Sequence, residues 1–215
     1  MDRGTALTLE RLAEAKLYSI LDLGYVEPHD ALNTAQQLLD GGVDILQLRG
    51  KNQEPDELIP LAKKIHTLTR KAEIPFIIND HPDIAVAVKS EGLHLGQEDM
   101  PIGKARGIVG PRTLIGKSTH STGQALDAVA EGADYIGFGP IFATPTKPSY
   151  IPIGIENLEW LHQTVHLPAF CIGGIKLENL KTLVKNGAHR VAMVSALLQA
   201  KKIDKYIKDS KKILG

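Results

Sequence analysis

The sequence predicts an α/β fold, a single (β/α)8 (TIM) barrel with an extra N-terminal helix, formed by one domain that covers residues 1–215. Two observations lead to this prediction. A glycine followed by a short apolar run recurs four times, each time after an amphipathic stretch, beginning at Gly42, Gly92, Gly132 and Gly187. Four further apolar runs, at 17–22, 75–79, 113–117 and 169–172, bring the total to eight. Strands that alternate with helices in this way form parallel sheets, and eight units favour a closed barrel over an open doubly wound sheet.

The elements follow from local patterns in chain order. Residues 7–15 are expected to form a leading helix that covers the floor of the barrel. Apolar residues at helical spacing predict helices at 31–39, 57–68, 123–130, 155–161, 178–184 and 203–213. The four unit glycines are expected to end the helices before them in the left-handed conformation. The residues from Gly139 to Gly154 form the longest irregular stretch, and long loops in compact domains are often functional.

The overall composition argues against some classes of binding partner. The chain has 25 Lys and Arg residues and 25 Asp and Glu residues, so no broad field would hold nucleic acid or an anionic membrane. No apolar stretch is long enough to span a bilayer, and the first residues lack the features of a signal peptide. Cys171 is the one cysteine and is expected to be a buried small hydrophobe. We therefore expect a cytoplasmic protein with small-molecule partners, and the sequence leaves open whether it forms a homo-oligomer.

Three polar side chains alternate at the end of the second strand. Gln47, Arg49 and Lys51 follow the apolar run that begins at Val43. Side chains two apart in a strand point the same way, so an amide and two cations would lie on one side. This pattern predicts an anion-binding row beside an amide that could bind a flat polar ring. The alternative is a pair of solvated cations at a strand end.

Two carboxylates follow the third and fourth strands. Asp80 and Asp99 would lie on adjacent strand ends, with oxygen ligands of the kind that Mg²⁺ prefers. The alternative is that each carboxylate caps the helix that begins near Pro82 or Pro101, because Pro favours the first helical turn.

A second anion site is predicted at the last two strands. Gly173 and Gly174 would let backbone N–H groups approach an anion, and Val194 with Ser195 could add a helix N-terminus and a hydroxyl. The alternative for the glycine pair is a tight turn. On the long sixth loop lie Thr144, Thr146 and Lys147, which could close over a phosphorylated substrate, although a Pro-stiffened solvated loop has the same composition.

The fifth strand ends with Ser118 and His120. No third carboxylate is evident to orient the histidine, so we expect a polar contact from Ser118 rather than covalent catalysis. The other histidines show no metal-ligand spacing and are assigned to the surface, to helix caps or to the core; they are His29, His66, His81, His94, His162, His166 and His189. Together, the residues predict two anion sites at one mouth, one for a diphosphate and one for a monophosphate.

The ordered set of strand-end motifs resembles the thiamine phosphate synthase family. The resemblance extends from about Leu17 to the C-terminus and depends on the whole set rather than on one motif. The motifs are Gln47-Leu48-Arg49 with Lys51, Asn79-Asp80, Gly96-Gln97-Glu98-Asp99, Ser118-Thr119-His120, Gly139-Pro140-Ile141-Phe142, Thr144-Pro145-Thr146-Lys147, Ile172-Gly173-Gly174-Ile175 and Val194-Ser195.

The resemblance implies a transferase of thiamine biosynthesis that joins hydroxymethylpyrimidine diphosphate to hydroxyethylthiazole phosphate and releases pyrophosphate through a largely dissociated pyrimidine cation. Gln47 would contact the pyrimidine, and Asp80 and Asp99 would bind the cofactor Mg²⁺. The expected pyrimidine diphosphate site comprises Gln47, Leu48, Arg49, Gly50, Lys51, Asn79, Ser118 and Lys147, of which Arg49, Lys51, Ser118 and Lys147 would be catalytic. The expected thiazole phosphate site comprises Thr144, Pro145, Thr146, Gly174, Val194 and Ser195.

One position departs from the family pattern, because Gly50 stands where family members often have Glu. A rival on the same barrel is a thiazole tautomerase, which typically has His at the position of Gln47 and lacks the second metal carboxylate. His120 would be the acid–base residue of that rival. A non-catalytic binder of thiamine precursors is the remaining alternative, and it would have no need of a magnesium site.

Overall fold

The eight predicted strands pair in parallel and in sequence order, and the last pairs with the first to close a barrel. The structure is a computed structural model that describes residues 3–146 and 149–215, with side chains from Thr8 onward. The strands are β1 (Leu17–Asp22), β2 (Ile45–Arg49), β3 (Phe76–Asn79), β4 (Gly92–Leu95), β5 (Leu114–Thr119), β6 (Tyr135–Phe138), β7 (Ala169–Ile172) and β8 (Val191–Met193). The (β/α)8 prediction is confirmed.

Helices follow the strands and form the outer layer. They are α1 (Arg3–Glu14), α2 (Ala31–Gly41), α3 (Pro55–Lys71), α4 (Pro82–Val88), α5 (Ile102–Val109), α6 (Thr122–Ala130), α7 (Leu158–Thr164), α8 (Leu177–Lys185), α9 (Ser195–Leu198) and α10 (Ile203–Leu214). The leading helix α1 brings Leu12 into the apolar cluster inside the barrel, so it covers the floor as expected. Among the described residues, no helix combines the length and the apolar character needed to cross a membrane.

Alternate strand residues face the two sides of the barrel wall. On β1, Leu17 and Leu21 pack in the large core between strands and helices, whereas Tyr18 and Ile20 pack in the smaller interior cluster. The register pairs Ile20 with Gln47 and Asp22 with Arg49. Interior positions therefore change from apolar near the floor to polar at the carboxyl ends of the strands, where the eight loops form the mouth.

Three carboxylates stabilise the floor of the barrel. Asp44 accepts hydrogen bonds from the backbone N–H groups of Lys16 and Leu17, at 2.9 and 2.8 Å. Glu91 and Asp134 accept in the same way from the backbone N–H groups of Phe76 and Ile115, near the starts of β3 and β5. Strand-start amides that would otherwise lack partners are satisfied by charge-assisted bonds worth about 1.5–3 kcal/mol each. The recurring acidic residue before a strand thus has a structural cause.

The structure differs from the expected elements in a few places. Gly42, Gly132 and Gly187 have positive φ, as predicted, but Gly92 does not and is instead the first residue of β4. Lys89 supplies the left-handed residue that ends α4. The patterns missed α4, α5 and α9, which have eight residues or fewer. Strand β5 runs two residues further than expected because its end pairs with β6.

Candidate active site

One cavity opens at the carboxyl ends of the strands. It holds about 820 Å³ of empty space, including solvent at its open mouth. Its wall includes residues from both predicted anion sites: Gln47, Arg49, Asn79, Ser118, Thr144, Thr146, Gly174, Val194 and Ser195. Residues of the two sites predicted separately from the sequence therefore face a single space, in the position that barrel folds use for chemistry. Lys51, Asp80 and Asp99 are not among the residues that line it.

The cation at the end of β2 has a carboxylate partner. Nη1 of Arg49 lies 2.6 Å from Oδ2 of Asp22, which is 2% exposed, at the end of β1. Oδ1 of Asp22 accepts the backbone N–H of Gly24 at 2.9 Å. Arg49 is thus fixed in position and partly neutralised rather than solvated, which rules out the alternative of two solvated cations for this residue. Asp22 also lines the cavity and was not singled out from the sequence.

A chain of hydrogen bonds crosses the barrel interior below the cavity. Nε2 of Gln47 lies 2.7 Å from the hydroxyl of Tyr18, which lies 3.0 Å from that of Tyr135. Tyr135 is 3.2 Å from Nδ1 of His94, and Nε2 of His94 is 2.9 Å from Oγ of Ser118. These five side chains come from five strands, and Gln47, His94 and Ser118 line the cavity.

Donor chemistry fixes the direction of the first bond in this chain. The amide nitrogen of Gln47 can only donate, so Tyr18 accepts from it. If Tyr18 passes its own proton to Tyr135, and Tyr135 donates to Nδ1 of a neutral His94, then Nε2 of His94 carries a proton and donates to Ser118. In that arrangement, the amide oxygen of Gln47 can accept from a ligand and the hydroxyl of Ser118 can donate to one. Burial raises the pKa of both Tyr18 and Tyr135, which keeps the two phenols protonated.

The two carboxylates that follow β3 and β4 are close together. Burial and the hydrogen-bonded carboxyl of Asp99 raise the pKa of Asp80. Burial alone would raise the pKa of Asp99, but hydrogen bonds from Asp80 and the N–H of Gly96, with Lys51 and Lys117 nearby, lower it. Nζ of Lys51 lies 3.3 Å from Oδ2 of Asp80. Of the two carboxyls, Asp99 is therefore the one that ionises more readily.

Neither carboxylate caps a helix, so the capping alternative is wrong for both residues. The N-cap of α4 is His81 and that of α5 is Pro101. Oδ2 of Asp99 instead accepts the N–H of Gly96 at 2.6 Å, and the loop is tied to β5 because Nζ of Lys117 donates to the carbonyl of Gly96. Asp80 has φ of 63°, in the left-handed region that is costly for a residue other than glycine.

The donor set fits a hard divalent cation. A cation between Asp80 and Asp99 would offset the repulsion between the two carboxylates. Among residues 3–146 and 149–215, no group of three or more His, Cys, Asp or Glu side chains could bind a metal by itself. Mg²⁺ is commonly held by one or two carboxylates together with water and substrate phosphates, so a two-carboxylate site matches its needs.

The opposite wall of the cavity consists of backbone and hydroxyl groups. Gly173 and Gly174 have φ of 97° and 63°, and a side chain at either position would collide with the β6 loop at Pro140 or Ala143. Both positions therefore require glycine. The carbonyl of Gly174 accepts from Nδ2 of Asn179 at 2.9 Å, which holds the loop against α8. The helix that begins at Ser195 has only four residues, so Ser195 contributes chiefly its hydroxyl and local amides.

The sixth loop reaches the same wall. Thr144 and Thr146 line the cavity, and the N–H of Thr146 lies 3.3 Å from Oγ1 of Thr144. Pro145 is exposed and does not line the cavity. Lys147, expected in the diphosphate site, lies outside the described residues.

Two residues of the β2 motif face away from the cavity. Leu48 is 1% exposed and packs in the core between strands and helices, so only its backbone could contact a ligand. Gly50 is buried, and a Cβ there would lie 2.9 Å from Cδ1 of Leu58 and 3.2 Å from Cδ1 of Leu23. Packing by these two leucines fills the space that a larger side chain would need.

One histidine, His94, differs from expectation. His94 was assigned to surface, cap or core, yet it lines the cavity and contacts Ser118. The hydrogen bond of Ser118 is therefore to His94, whereas Nδ1 of His120 contacts the carbonyl of Gly139. The pairing of β4 with β5 places His94 opposite Gly116, one residue before the end of β4. This pairing joins residues that are distant in sequence, so a local sequence pattern does not predict it.

Comparison with known proteins assigns the family. The family model described as thiamine monophosphate synthase matches residues 17–197. Two curated relatives named thiamine-phosphate synthase are each 40% identical over 191 residues, which is 88% of this chain. The relative from Lawsonia intracellularis is covered over 88% of its length. The chain spans only 54% of the length of the relative from Gloeobacter violaceus.

A solved structure has the same fold. The thiamine phosphate pyrophosphorylase from Pyrococcus furiosus is 33% identical, with a TM-score of 0.86 and 96% of each chain covered. The family model covers most of the chain, and the relatives exceed the identity at which a shared family is secure. The chain therefore belongs to the thiamine monophosphate synthase family.

Proposed function

We propose that the cavity binds hydroxymethylpyrimidine diphosphate and hydroxyethylthiazole phosphate together and joins them to form thiamine phosphate. One observation supports this most directly: Arg49 and Asn79 line the same cavity as Gly174, Thr146 and Ser195. A reaction between two phosphorylated molecules requires two anion sites that face one space, because the reacting atoms must meet. Family membership makes the chain a transferase of thiamine biosynthesis.

The reaction exchanges one bond for another. The bond between the pyrimidine methylene and the diphosphate oxygen breaks, and its electron pair leaves with pyrophosphate. The lone pair of the thiazole ring nitrogen then forms a carbon–nitrogen bond to the same methylene. Largely complete departure of pyrophosphate before attack would produce a pyrimidine cation. The protein must therefore stabilise negative charge on the leaving group and hold the two rings in line.

The first substrate would occupy the side of the cavity that contains Gln47. The amide oxygen of Gln47 would accept from the pyrimidine amino group, while Arg49, Lys51, Asn79 and Ser118 would donate to the diphosphate. We propose the same role for Lys147. Fixed donors need not reorganise as charge develops, which is why the hydrogen bond that Arg49 donates to Asp22 and the one between His94 and Ser118 matter.

Charge on this side supports a role for Mg²⁺. The cations of Arg49 and Lys51 are each paired with a carboxylate, and Asp99 adds a further one. These five groups alone do not form a cationic site for a diphosphate. We propose that Asp80 and Asp99 would hold Mg²⁺. When bound, the metal would supply positive charge to the departing pyrophosphate.

The second substrate would lie against the opposite wall. The backbone of Gly174 and the hydroxyls of Thr144, Thr146 and Ser195 would donate to the thiazole phosphate, with Val194 beside them. Neutral donors suit this role because the monophosphate stays bound throughout the reaction and needs only to be positioned.

The experiment is a two-substrate assay of the purified chain with Mg²⁺. We expect pyrophosphate and thiamine phosphate in equal amounts, and no thiamine phosphate when either substrate is omitted. Lys51→Ala and Asp80→Ala should each lower kcat by at least a hundredfold. Cys171→Ser should not lower it, because Cys171 is buried in the core between strands and helices, away from the cavity. Full turnover after complete chelation of Mg²⁺ would contradict the metal assignment.

The assay also separates the alternatives. A thiazole tautomerase would interconvert thiazole isomers without the pyrimidine substrate, and a non-catalytic binder would retain both ligands without releasing pyrophosphate. The chain keeps Gln47 and the second carboxylate Asp99, which support the synthase. Tautomerase activity without pyrophosphate release would overturn the proposal.

A further inference from the structure

A tyrosine on the first loop contacts the sixth loop across the mouth. The hydroxyl of Tyr25 lies 2.9 Å from Oγ1 of Thr146. The ring of Tyr25 is partly buried and packs against the core between strands and helices. Tyr25 does not line the cavity itself, but its hydroxyl reaches a side chain that does.

The turn that presents Tyr25 is built on Asp22. The carbonyl of Asp22 accepts the N–H of Tyr25 at 2.9 Å, and Oδ1 of Asp22 accepts that of Gly24 at 2.9 Å. Oδ2 of the same carboxylate holds Arg49 at 2.6 Å. One aspartate thus positions a cation on one side of the cavity and, through the turn, a hydroxyl contact on the other.

We propose that Tyr25 is a positioning residue that holds the hydroxyl of Thr146 ready to donate to the thiazole phosphate. This inference rests on the function proposed for Thr146. A threonine hydroxyl has one proton, and the dianion of a phosphate monoester can only accept hydrogen bonds. When Thr146 donates to phosphate, its bond with Tyr25 persists only if Tyr25 is the donor. The phenol then fixes the rotamer of Thr146 and aims its proton into the cavity.

The neighbouring threonine completes the arrangement. The N–H of Thr146 donates to Oγ1 of Thr144, so the proton of Thr144 remains available for the same phosphate. This local bond orients the backbone of the loop, but it does not determine the rotamer of Thr146. The contact with Tyr25, 121 residues away in sequence, determines that rotamer.

The test is a double-mutant cycle with Tyr25→Phe and Thr146→Val. Tyr25→Phe keeps the packed ring and removes only the hydroxyl. We expect KM and the dissociation constant for thiazole phosphate to rise roughly three- to tenfold, the range that loss of one hydrogen bond produces. We expect kcat at saturation and KM for the pyrimidine diphosphate to stay within about twofold of the parent. Thr146→Val should weaken thiazole phosphate binding at least as much, and the double variant no further.

The control is Thr113→Val, which removes a threonine hydroxyl bonded to the carbonyl of Val109, outside the proposed site. It should leave both KM values unchanged, and melting temperatures of all variants will show that they are folded. If Thr146→Val weakens thiazole phosphate binding but Tyr25→Phe does not, the role of Tyr25 is refuted and the phosphate site stands. If Thr146→Val has no effect, both the inference and the proposed role of Thr146 fail.

Discussion

Replacement of Arg49 by methionine tests the buried ion pair and the proposed diphosphate site together. Asp22 is 2% exposed and Arg49 is 18% exposed, with 2.6 Å between Oδ2 and Nη1. Methionine removes the cation and retains an unbranched apolar side chain of moderate length. The carboxylate of Asp22 would then keep the N–H of Gly24 as a partner but lose its counter-charge.

The loss of stability expected for Arg49→Met can be estimated from buried ion pairs in other proteins. Removal of one partner from a buried salt bridge destabilises a protein by about 3–5 kcal/mol, because the other charge stays buried without compensation. Solvent reaches part of Arg49, and Gly24 still contacts Asp22, so we expect the low end, about 3 kcal/mol. For a chain of this size that corresponds to a fall in melting temperature of about 6–12 °C.

The second variant separates the structural role of Arg49 from its role in binding. Asp22→Asn in the Arg49→Met background removes the buried carboxylate that has lost its partner. We therefore expect recovery of about 2 kcal/mol in the free energy of unfolding measured with urea. Pyrophosphate release should stay at least a hundredfold below the parent in both variants, because neither restores a cation for the diphosphate. A loss below about 1 kcal/mol for Arg49→Met, with no recovery in the double variant, would refute the ion-pair argument.

Three further predictions follow from buried contacts. Tyr18→Phe should raise KM for the pyrimidine diphosphate but not for thiazole phosphate, because Gln47 loses its hydrogen-bond partner. The same loss should lower the free energy of unfolding by about 1–2 kcal/mol. Equal changes in both KM values would contradict this prediction. Gly50→Ala should cost about 1–3 kcal/mol in urea unfolding, since the new Cβ would lie 2.9 Å from Leu58, and unchanged stability would show that Leu58 moves freely. Burial raises the pKa of the Cys171 thiol to about 12, so above pH 9 the unfolded chain loses a proton that the folded chain keeps. The free energy of unfolding should therefore fall as pH rises, by up to about 1.4 kcal/mol per pH unit from this group. The slope should be smaller in Cys171→Ala.

The fold was predictable because it depends on patterns that repeat locally. Each apolar run of about five residues becomes a strand buried on both faces, and the order of strands follows from short right-handed crossovers. The elements that the patterns missed are short. Helix α4 has seven residues, too few for a clear amphipathic period, and its end at Lys89 uses a left-handed residue other than glycine.

The site was predictable only in part, for a similar reason. Residues such as Arg49 and Gly174 stand at strand ends, and the barrel brings all strand ends to one mouth. The partners of these residues depend on register instead. Asp22 lies opposite Arg49 because β1 pairs with β2 at that offset, and His94 reaches Ser118 across β4 and β5. No local pattern in a single sequence encodes which residues lie opposite each other in a closed barrel.

The pairing of charges would let one cavity keep the two proposed phosphorylated substrates apart. On the proposed diphosphate side, Arg49 is neutralised by Asp22 and Lys51 by Asp80. A substrate gains from these cations only if something offsets the carboxylates, and Mg²⁺ between Asp80 and Asp99 would do so. A monophosphate lacks the second phosphoryl group needed to span both the metal and Arg49, so it would bind there weakly. Neutral donors at Gly174 and Thr146 involve no such competition, so the side with carboxylates would select the substrate that arrives with a metal.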